Sequence, residues 1–199
     1  MALYEHLMME IAGGLPARAA LAESLGAWSG ADRPLGLFAS QLGWAASEAA
    51  VLIEDGDGAS RDAAETLAQS PAVTVVQRRV MRPTLRPAAG ARLASGGVWV
   101  HRTFEVRTDN LQTFVALSGE GWRDFEHRFD ARVFGLFEVI EPRRDPAVTE
   151  LLLLTRYGSH GIWEDSRDPS TKAMQTFARR AALTLRTRAA SSLLAWAAD

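Results

Sequence analysis

The 199-residue sequence predicts an α+β fold, in which two tandem ferredoxin-like modules pack their antiparallel sheets together into an α+β barrel. Three observations support this prediction. The second half of the chain repeats residues of the first half at nearly constant spacing. Each half shows the predicted order strand-helix-strand-strand-helix-strand. A segment rich in proline and glycine separates the halves, so we assign one module to residues 1–93 and the other to residues 94–199.

The internal repeat is clearest in the first predicted strand of each half. Residues 4–11 read Tyr-Glu-His-Leu-Met-Met-Glu-Ile, and residues 99–106 read Trp-Val-His-Arg-Thr-Phe-Glu-Val. An aromatic residue, a histidine and a glutamate recur in register. The tripeptide Gly-Leu-Phe at 36–38 also recurs at 135–137. A two-fold repeat of this kind predicts two similar modules that share one core.

The first half contains four predicted strands and two predicted helices. Residues 2–11 form a strand by their alternation, and the glycines at 13–14 end it. Pro16 fits the first turn of a helix that continues to about Trp28. The remaining predicted elements of this half are strands at about 35–42, 48–54 and 73–82, and a short helix at about 60–69.

The second half repeats this order after the linker at 83–97. Its predicted elements are strands at about 97–106, 132–140, 148–156 and 191–194, and helices at about 110–127 and 170–187. A ferredoxin-like sheet carries helices on one face only, so its other face needs a cover. Two copies in one chain provide that cover by packing sheet against sheet.

Composition excludes several classes of function. The net charge is −2 and opposite charges are interspersed, so we expect no nucleic-acid partner. The chain has no cysteine, and its four histidines lack the spacing of zinc ligands, so we expect no metal and no cofactor. No segment approaches twenty apolar residues and no signal-peptide pattern opens the chain. We therefore expect a cytoplasmic protein without a membrane partner, and the arginine- and alanine-rich composition suggests a bacterial source.

The repeated histidines, His6 and His101, are the candidate catalytic residues. Alternate residues of a strand share one face, and the more apolar row of each first strand should face the helices. His6 and His101 should then point into the space between the two sheets. A neutral imidazole in an apolar cavity could act as a base or as a polar anchor. The alternative is a purely structural hydrogen bond inside the sheet interface.

Four further residues are candidates for ligand binding. Tyr4 and Trp99 share the face of the two histidines and would form apolar walls, and Trp44 follows a strand and could line the cavity mouth. Arg156 ends a predicted strand of the second half, where it could hold a carboxylate or an enolate. The alternative for Arg156 is an ordinary surface position.

The chain resembles the NIPSNAP family of the dimeric α+β barrel superfamily. The first strand of that family often reads Glu-x-Arg-x-Tyr, and the second half of this chain has Arg102 followed by Phe104 at the aromatic position. The first half departs from the pattern, with Leu7 and Met9 at these positions. The segment 161–167, followed by an arginine-rich stretch, is also similar to the family. The resemblance implies a barrel with a pocket between the sheets, and it adds Arg102 to the ligand-binding candidates.

Two functions remain open at this point. The first is a NIPSNAP-like protein that binds a small organic molecule between the two sheets and acts as a cofactor-independent monooxygenase or isomerase. The second is a non-catalytic module for ligand binding or protein interaction. A cavity of roughly 300 Å³ or more would favour the first function, and a packed interface would favour the second. We also expect that the outer edge strands could pair in a homodimer.

Overall fold

The computed structural model describes residues 2–55, 62–142 and 145–198. The predicted turn at 55–58 lies mostly outside these residues. The first module contains β1 (Leu3–Ile11), α1 (Gly14–Gly26), β2 (Arg33–Leu42), β3 (Glu48–Asp55), α2 (Asp62–Ala68) and β4 (Val73–Pro83). The second module contains β5 (Val98–Arg107), α3 (Leu111–Arg128), β6 (Ala131–Glu141), β7 (Val148–Tyr157), α4 (His160–Asp165), α5 (Lys172–Ala181) and β8 (Thr184–Ala197).

The eight strands form a closed antiparallel barrel in the order β1-β3-β2-β8-β5-β7-β6-β4. Within each module the strand order is that of a ferredoxin-like sheet, which confirms the predicted fold class. Pairing of β2 with β8 and of β4 with β6 joins the two sheets. None of these eight strands is left with an open edge, so the edge pairing that we expected for a homodimer has no basis, and a dimer would need another surface.

The two faces of the first strands are used as the alternation predicts. Tyr4, Met8 and Trp99 belong to the core inside the barrel. Leu7 packs on the outside of the barrel with apolar residues of α1 and α2. In the second module, Phe104 packs on the outside with residues of α3. The barrel therefore separates an inner core from two outer cores, one under each pair of helices.

The end of the chain differs from the sequence-based expectation. The predicted helix at 170–187 is wrong after residue 181, and the predicted short strand at 191–194 is part of a strand that starts at Thr184. In this strand β5 is the partner of Arg186, Thr187 and Arg188, although β5 lies far earlier in the sequence. This ladder of backbone hydrogen bonds outweighs the helical preference of the local sequence. The sequence also gave no prediction of the short helix α4, whose first turn is capped by the Ser159 hydroxyl.

None of the helices in residues 2–55, 62–142 and 145–198 combines the length and the apolar character that crossing a bilayer requires.

Candidate functional site

The barrel brings the two repeated histidines into direct contact. β1 and β5 are four strands apart in a ring of eight, so they lie on opposite sides of the barrel. Equivalent inward-facing residues of the two modules therefore meet near the barrel axis. His6 Nε2 lies 3.1 Å from His101 Nδ1. The side chains are buried, with 1% and 4% of their surfaces exposed.

We assign the tautomers of both histidines from a chain of hydrogen bonds that starts at Ser192. The Ser192 hydroxyl donates its only proton to the backbone oxygen of Trp99, at 3.3 Å. The Ser192 oxygen therefore accepts from Nε2–H of His101, at 3.0 Å. His101 Nδ1 is then a lone pair, and it accepts from Nε2–H of His6. The remaining nitrogen, His6 Nδ1, is a buried acceptor without a hydrogen-bond partner among the described residues.

Both histidines are neutral near pH 7. Burial, and then the positive charge of Arg79, lower the pKa of His101 to about 3. Burial lowers the pKa of His6 well below its ordinary value, and His101 and Arg79 lower it further. The protonated form of His6 is therefore strongly disfavoured. Of the two roles that the sequence left open, a polar anchor fits this environment better than a base.

The two histidines lie at the bottom of a cavity at one mouth of the barrel. This barrel-end cavity has a volume of about 370 Å³. Its lining includes His6, Trp44, Arg79, His101, Thr103 and Arg188. The Trp44 ring lies 4.7 Å from the His101 ring between centroids, and Trp44 also lines this cavity. The volume is in the range of small-molecule sites.

Tyr4 and Trp99 lie deeper in the barrel than this cavity. The Tyr4 hydroxyl donates to Glu54 Oε1 at 2.9 Å, and Arg33 forms an ion pair with the same carboxylate. Burial, and then the hydrogen bond to Glu54, raise the pKa of Tyr4 well above its ordinary value. The Trp99 ring packs edge-on against Phe38 at a centroid distance of 5.6 Å. The two side chains are walls of the packed interior and do not line the barrel-end cavity.

The structure places Arg156 apart from the histidines. It lies directly opposite Trp99 in the pairing of β5 with β7, whereas Thr103 of the barrel-end cavity pairs with Leu152 further along β7. Its Nη1 forms an ion pair with Asp130 Oδ1 at 2.8 Å. Its positive charge already has a partner, so a ligand carboxylate would have to compete with Asp130.

Arg102 projects from the opposite face of the sheet, outside the barrel. It lines a second cavity, of about 380 Å³, between the sheet and the helices of the second module. We call it the helix-side cavity; its lining includes Arg102, Phe104, Trp122, Tyr157, Phe177 and Arg180. The strand period of two explains the separation, because neighbouring residues 101 and 102 must face opposite sides. Of the sequence-predicted site residues, the barrel-end cavity thus brings together His6, His101 and Trp44, and the helix-side cavity contains Arg102. The other three, Tyr4, Trp99 and Arg156, line neither cavity.

Arg180 is the most deeply buried charge in the helix-side cavity, with 5% of its surface exposed. The only described hydrogen bond of its guanidinium group joins Nη1 to the Ser118 hydroxyl at 3.3 Å. The guanidinium carbon lies 4.5 Å from the Phe177 ring centroid and 5.0 Å from that of Phe104. Burial, and then repulsion by Arg102, lower the pKa of Arg180 to about 9. Arg180 thus remains a cation at neutral pH, held by aromatic faces.

Two of the other three arginines of the cavity, Arg102 and Arg167, also lack a carboxylate, whereas Arg186 forms an ion pair with Glu105 at 3.8 Å. Arg102 makes no hydrogen bond or ion pair with a described residue, and burial followed by repulsion from Arg167 lowers its pKa. Arg167 donates from Nη2 to the Tyr157 hydroxyl at 3.2 Å. None of the described residues that line the cavity is acidic. Three positive charges therefore surround one apolar space without a neutralising group.

The sequence analysis did not identify Arg167, Tyr157 and Arg180 as site residues. Arg180 could have been detected from the helical period of the sequence, because it falls on the buried side of α5. It lies seven residues after Ala173 and four after Thr176, and all three are buried on one side of α5. An arginine on the buried stripe of a helix is unusual and indicates a site or an ion pair. Arg179 beside it is exposed, so the pair looked like an ordinary solvated surface.

Comparisons with known proteins support the fold and leave the activity open. No protein-family model and no curated protein sequence matches the chain. A candidate monooxygenase from Fusobacterium nucleatum has a TM-score of 0.65 and 11% identity, over 97% of this chain and 92% of the other. An anthrone oxidase-like protein has a TM-score of 0.60 and 12% identity, over 96% and 91%. A heme-degrading enzyme from Listeria monocytogenes has a TM-score of 0.52 and 9% identity, over 94% and 97%.

These likenesses show that the chain shares its α+β barrel fold with these proteins. At this identity they show the fold alone, and fold does not determine function. The resemblance to the NIPSNAP family therefore stays a prediction. Small-molecule binding is consistent with these neighbours, one of which is described as acting on heme.

The helix-side cavity does not fit haem well. Haem iron is most often held by an imidazole or a thiolate. The described residues of the cavity lining include neither histidine nor cysteine, and the Tyr157 hydroxyl already accepts a hydrogen bond from Arg167. The described part of the chain also contains no group of three side chains that could hold a metal ion. The residues present suit an organic anion better.

Proposed function

We propose that the protein binds a flat, apolar organic molecule as its anion in the helix-side cavity. The observation that carries this proposal is the set of three arginines, Arg102, Arg167 and Arg180, without a described acidic partner. Burying a cation without a counter-charge costs several kcal/mol, and three cations together repel one another. An anionic ligand would offset both costs. The main ligand site is then on the outer face of the sheet, and not between the sheets as the sequence suggested.

The rest of the lining indicates the body of the ligand. Phe104, Trp122 and Phe177 present aromatic surface to the cavity. Leu185 also lines it and is 58% exposed, so the cavity reaches the protein surface beside β8. Apolar walls with a few convergent polar groups are typical of small-molecule sites. A fused aromatic ring system with one ionisable oxygen satisfies both parts of the cavity.

The arginines would also favour a chemical change in such a ligand. Positive charge stabilises a phenolate or enolate relative to its neutral form, so it lowers the pKa of the bound hydroxyl. An enolate is electron-rich, and both isomerisation and reaction with molecular oxygen can start from it. We therefore propose a cofactor-independent monooxygenase or isomerase of enolisable aromatic compounds. Fold neighbours described as a candidate monooxygenase and as anthrone oxidase-like are consistent with this class.

The binding step can be tested with 4-nitrophenol, whose neutral and ionised forms absorb at different wavelengths. We expect bound 4-nitrophenol to ionise about one pH unit below the free compound. Arg180→Met and Arg102→Met should each weaken phenolate binding about tenfold, because each removes a charge-assisted contact. Arg123→Met is the matched control, since Arg123 is an exposed residue of α3 outside the cavity. Circular dichroism should show an unchanged fold in all three variants.

The catalytic step can be tested with an anthrone in an oxygen electrode. Oxygen uptake that depends on the protein, and that falls in Arg102→Met but not in Arg123→Met, would support the monooxygenase. Phenolate binding without turnover of the anthrone would favour the alternative, a non-catalytic ligand-binding module. Loss of neither binding nor ionisation in the arginine variants would contradict the assignment of this cavity.

A further inference from the structure

The barrel-end cavity contains a second polar set that the proposed function does not use. It lies on the inner face of the sheet, whereas the helix-side cavity lies on the outer face. His6 lines this cavity, and its Nδ1 is buried and has no described partner. A buried polar atom without a partner costs about 1–3 kcal/mol, so such an atom at a cavity points to a ligand group that completes it.

The hydrogen-bond chain determines what that group must be. The backbone oxygen of Trp99 can only accept, so the Ser192 hydroxyl donates to it, and His101 and His6 each donate one step along the chain. In this assignment His6 Nδ1 is an acceptor. The missing partner is a donor, either a hydroxyl or an N–H group.

The cavity mouth supplies positive charge and an aromatic surface. Arg188 lines the cavity, is exposed, and makes no ion pair with a described residue. Arg79 lines it as well, but its Nε already donates to Glu150 Oε1 at 2.8 Å. The half-buried ring of Trp44 stands beside His101. The one acidic residue of the lining, Glu48, accepts from the backbone N–H of Ala45 at 2.6 Å.

We propose that the barrel-end cavity is a second ligand site, which binds a small hydroxyaryl carboxylate. The ligand hydroxyl donates to His6 Nδ1, its ring lies against Trp44, and its carboxylate pairs with Arg188 at the mouth. The cavity volume of about 370 Å³ accommodates a single substituted ring. This proposal does not depend on the function proposed for the helix-side cavity.

The site should discriminate strongly between ligands with and without the donor. A site that hydrogen-bonds a ligand hydroxyl rejects the analogue that lacks it, because the buried acceptor would then stay unpaired. 4-Hydroxybenzoate and benzoate form the matched pair of probes. We expect benzoate to bind at least about tenfold more weakly than 4-hydroxybenzoate.

Nitrogen NMR of histidine-labelled protein reports on the contact directly. We expect 4-hydroxybenzoate to move the Nδ1 resonance of His6, because a lone-pair nitrogen responds when it accepts a hydrogen bond. Benzoate should leave that resonance nearly unchanged. Equal binding of the two probes, or no response of His6 to either, would overturn the proposal.

Two substitutions test separately the acceptor at His6 Nδ1 and the hydrogen bond from His6 to His101. In His6→Gln the side-chain amide can still donate to His101, but no acceptor replaces Nδ1. In His6→Asn an amide oxygen can replace Nδ1, but the contact with His101 is lost. We expect His6→Gln to lose the preference for 4-hydroxybenzoate and His6→Asn to keep part of it. The matched control is His127→Gln, at an exposed histidine near the end of α3.

The arginine variants distinguish this site from the helix-side cavity. Binding of 4-hydroxybenzoate that persists in His6→Gln and is lost in Arg102→Met would place the probe in the helix-side cavity. That result would overturn the present proposal and support the earlier one. Binding that is lost in His6→Gln and Arg188→Met, and kept in Arg102→Met, would support the barrel-end site.

Discussion

The same strand position holds leucine in the first module and arginine in the second. Leu7 and Arg102 are equivalent in the internal repeat, and both point out of the barrel toward the helices. Leu7 is fully buried among aliphatic residues of α1 and α2. Arg102 faces a cavity that it shares with three more arginines, of which Arg167 and Arg180 also lack a described acidic partner. The outer faces of the two modules thus differ, and the outer face of the second module holds the arginines without an acidic partner.

The inner face shows the opposite behaviour. His6 and His101 are the same residue in both modules and meet across the barrel axis. The two equivalent histidines nevertheless have different contacts. Only His101 reaches Ser192, and only His6 has a ring nitrogen without a described partner. The repeated histidines therefore leave one ring nitrogen without a described partner, and not a symmetric pair.

The largest expected effect comes from giving the first module the arginine of the second. The Leu7→Arg substitution would place an unpaired positive charge in an aliphatic core, where no side chain of the cluster could pair with it. We expect the free energy of unfolding to fall by more than about 4 kcal/mol. Urea denaturation followed by circular dichroism measures the loss.

Leu7→Met is the control, because it changes shape but introduces no charge, and it should cost less than about 1.5 kcal/mol. A stable Leu7→Arg protein would show that the outer core of the first module can also hold a cation. The outer cores of the two modules would then not differ in their ability to hold a buried charge.

The inner row of β1 and β5 could be predicted from the sequence, whereas the assembly of Arg102, Arg167 and Arg180 around one cavity could not. A strand period of two assigns Tyr4 and His6 to one face without any knowledge of the partner strands. The burial of Arg180 depends on the approach of α5 to α3, where Phe177 packs against Gly121 so closely that a side chain at that glycine would collide with it. Nothing in the local sequence encodes that approach.

The extent of β8 was unpredictable for a similar reason. Thr184 to Arg188 are extended because β5 offers them a ladder, and β5 lies some eighty residues earlier in the chain. The residues themselves have no strong preference for a strand. Interactions at long sequence separation determine both this strand and the cavity that it borders.

A second test compares a buried charge that has partners with the arginines that have none. Burial alone would raise the pKa of Glu54, but hydrogen bonds from Arg33, the Gly90 amide and Tyr4 outweigh it and hold that pKa below its usual value. Stability from these contacts is therefore fully present above the unfolded-state pKa, near 4.5, and is lost as the pH falls through the folded-state pKa.

We expect Glu54→Gln to lower the free energy of unfolding at pH 7 by about 2 kcal/mol, since it weakens a satisfied charge network. The variant should also lose part of the acid dependence below about pH 5. Unfolding curves in urea between pH 7 and pH 3 measure both effects. An unchanged acid dependence would mean that other carboxylates dominate it.

The reciprocal exchange, Arg102→Leu, should have the opposite sign. It removes a desolvated charge without a described partner and installs the residue that the first module uses at this position. We expect the free energy of unfolding to rise by about 1 kcal/mol. Arg123→Leu, at an exposed position, should stay within about 0.5 kcal/mol of the parent protein. A clear loss of stability in Arg102→Leu would indicate that Arg102 supports the fold.

The smallest expected effect tests whether an anion bound at Arg102, Arg167 and Arg180 stabilises the folded protein. A ligand that binds only the folded state adds RT ln(1 + [L]/Kd), which is about 0.8 kcal/mol at three times Kd. We expect 4-nitrophenolate to add this amount to the parent protein and almost nothing to Arg102→Leu. Thermal unfolding with and without the probe measures the difference. Equal stabilisation of both proteins would mean that the anion binds away from Arg102, and the difference between the two modules would then concern stability alone.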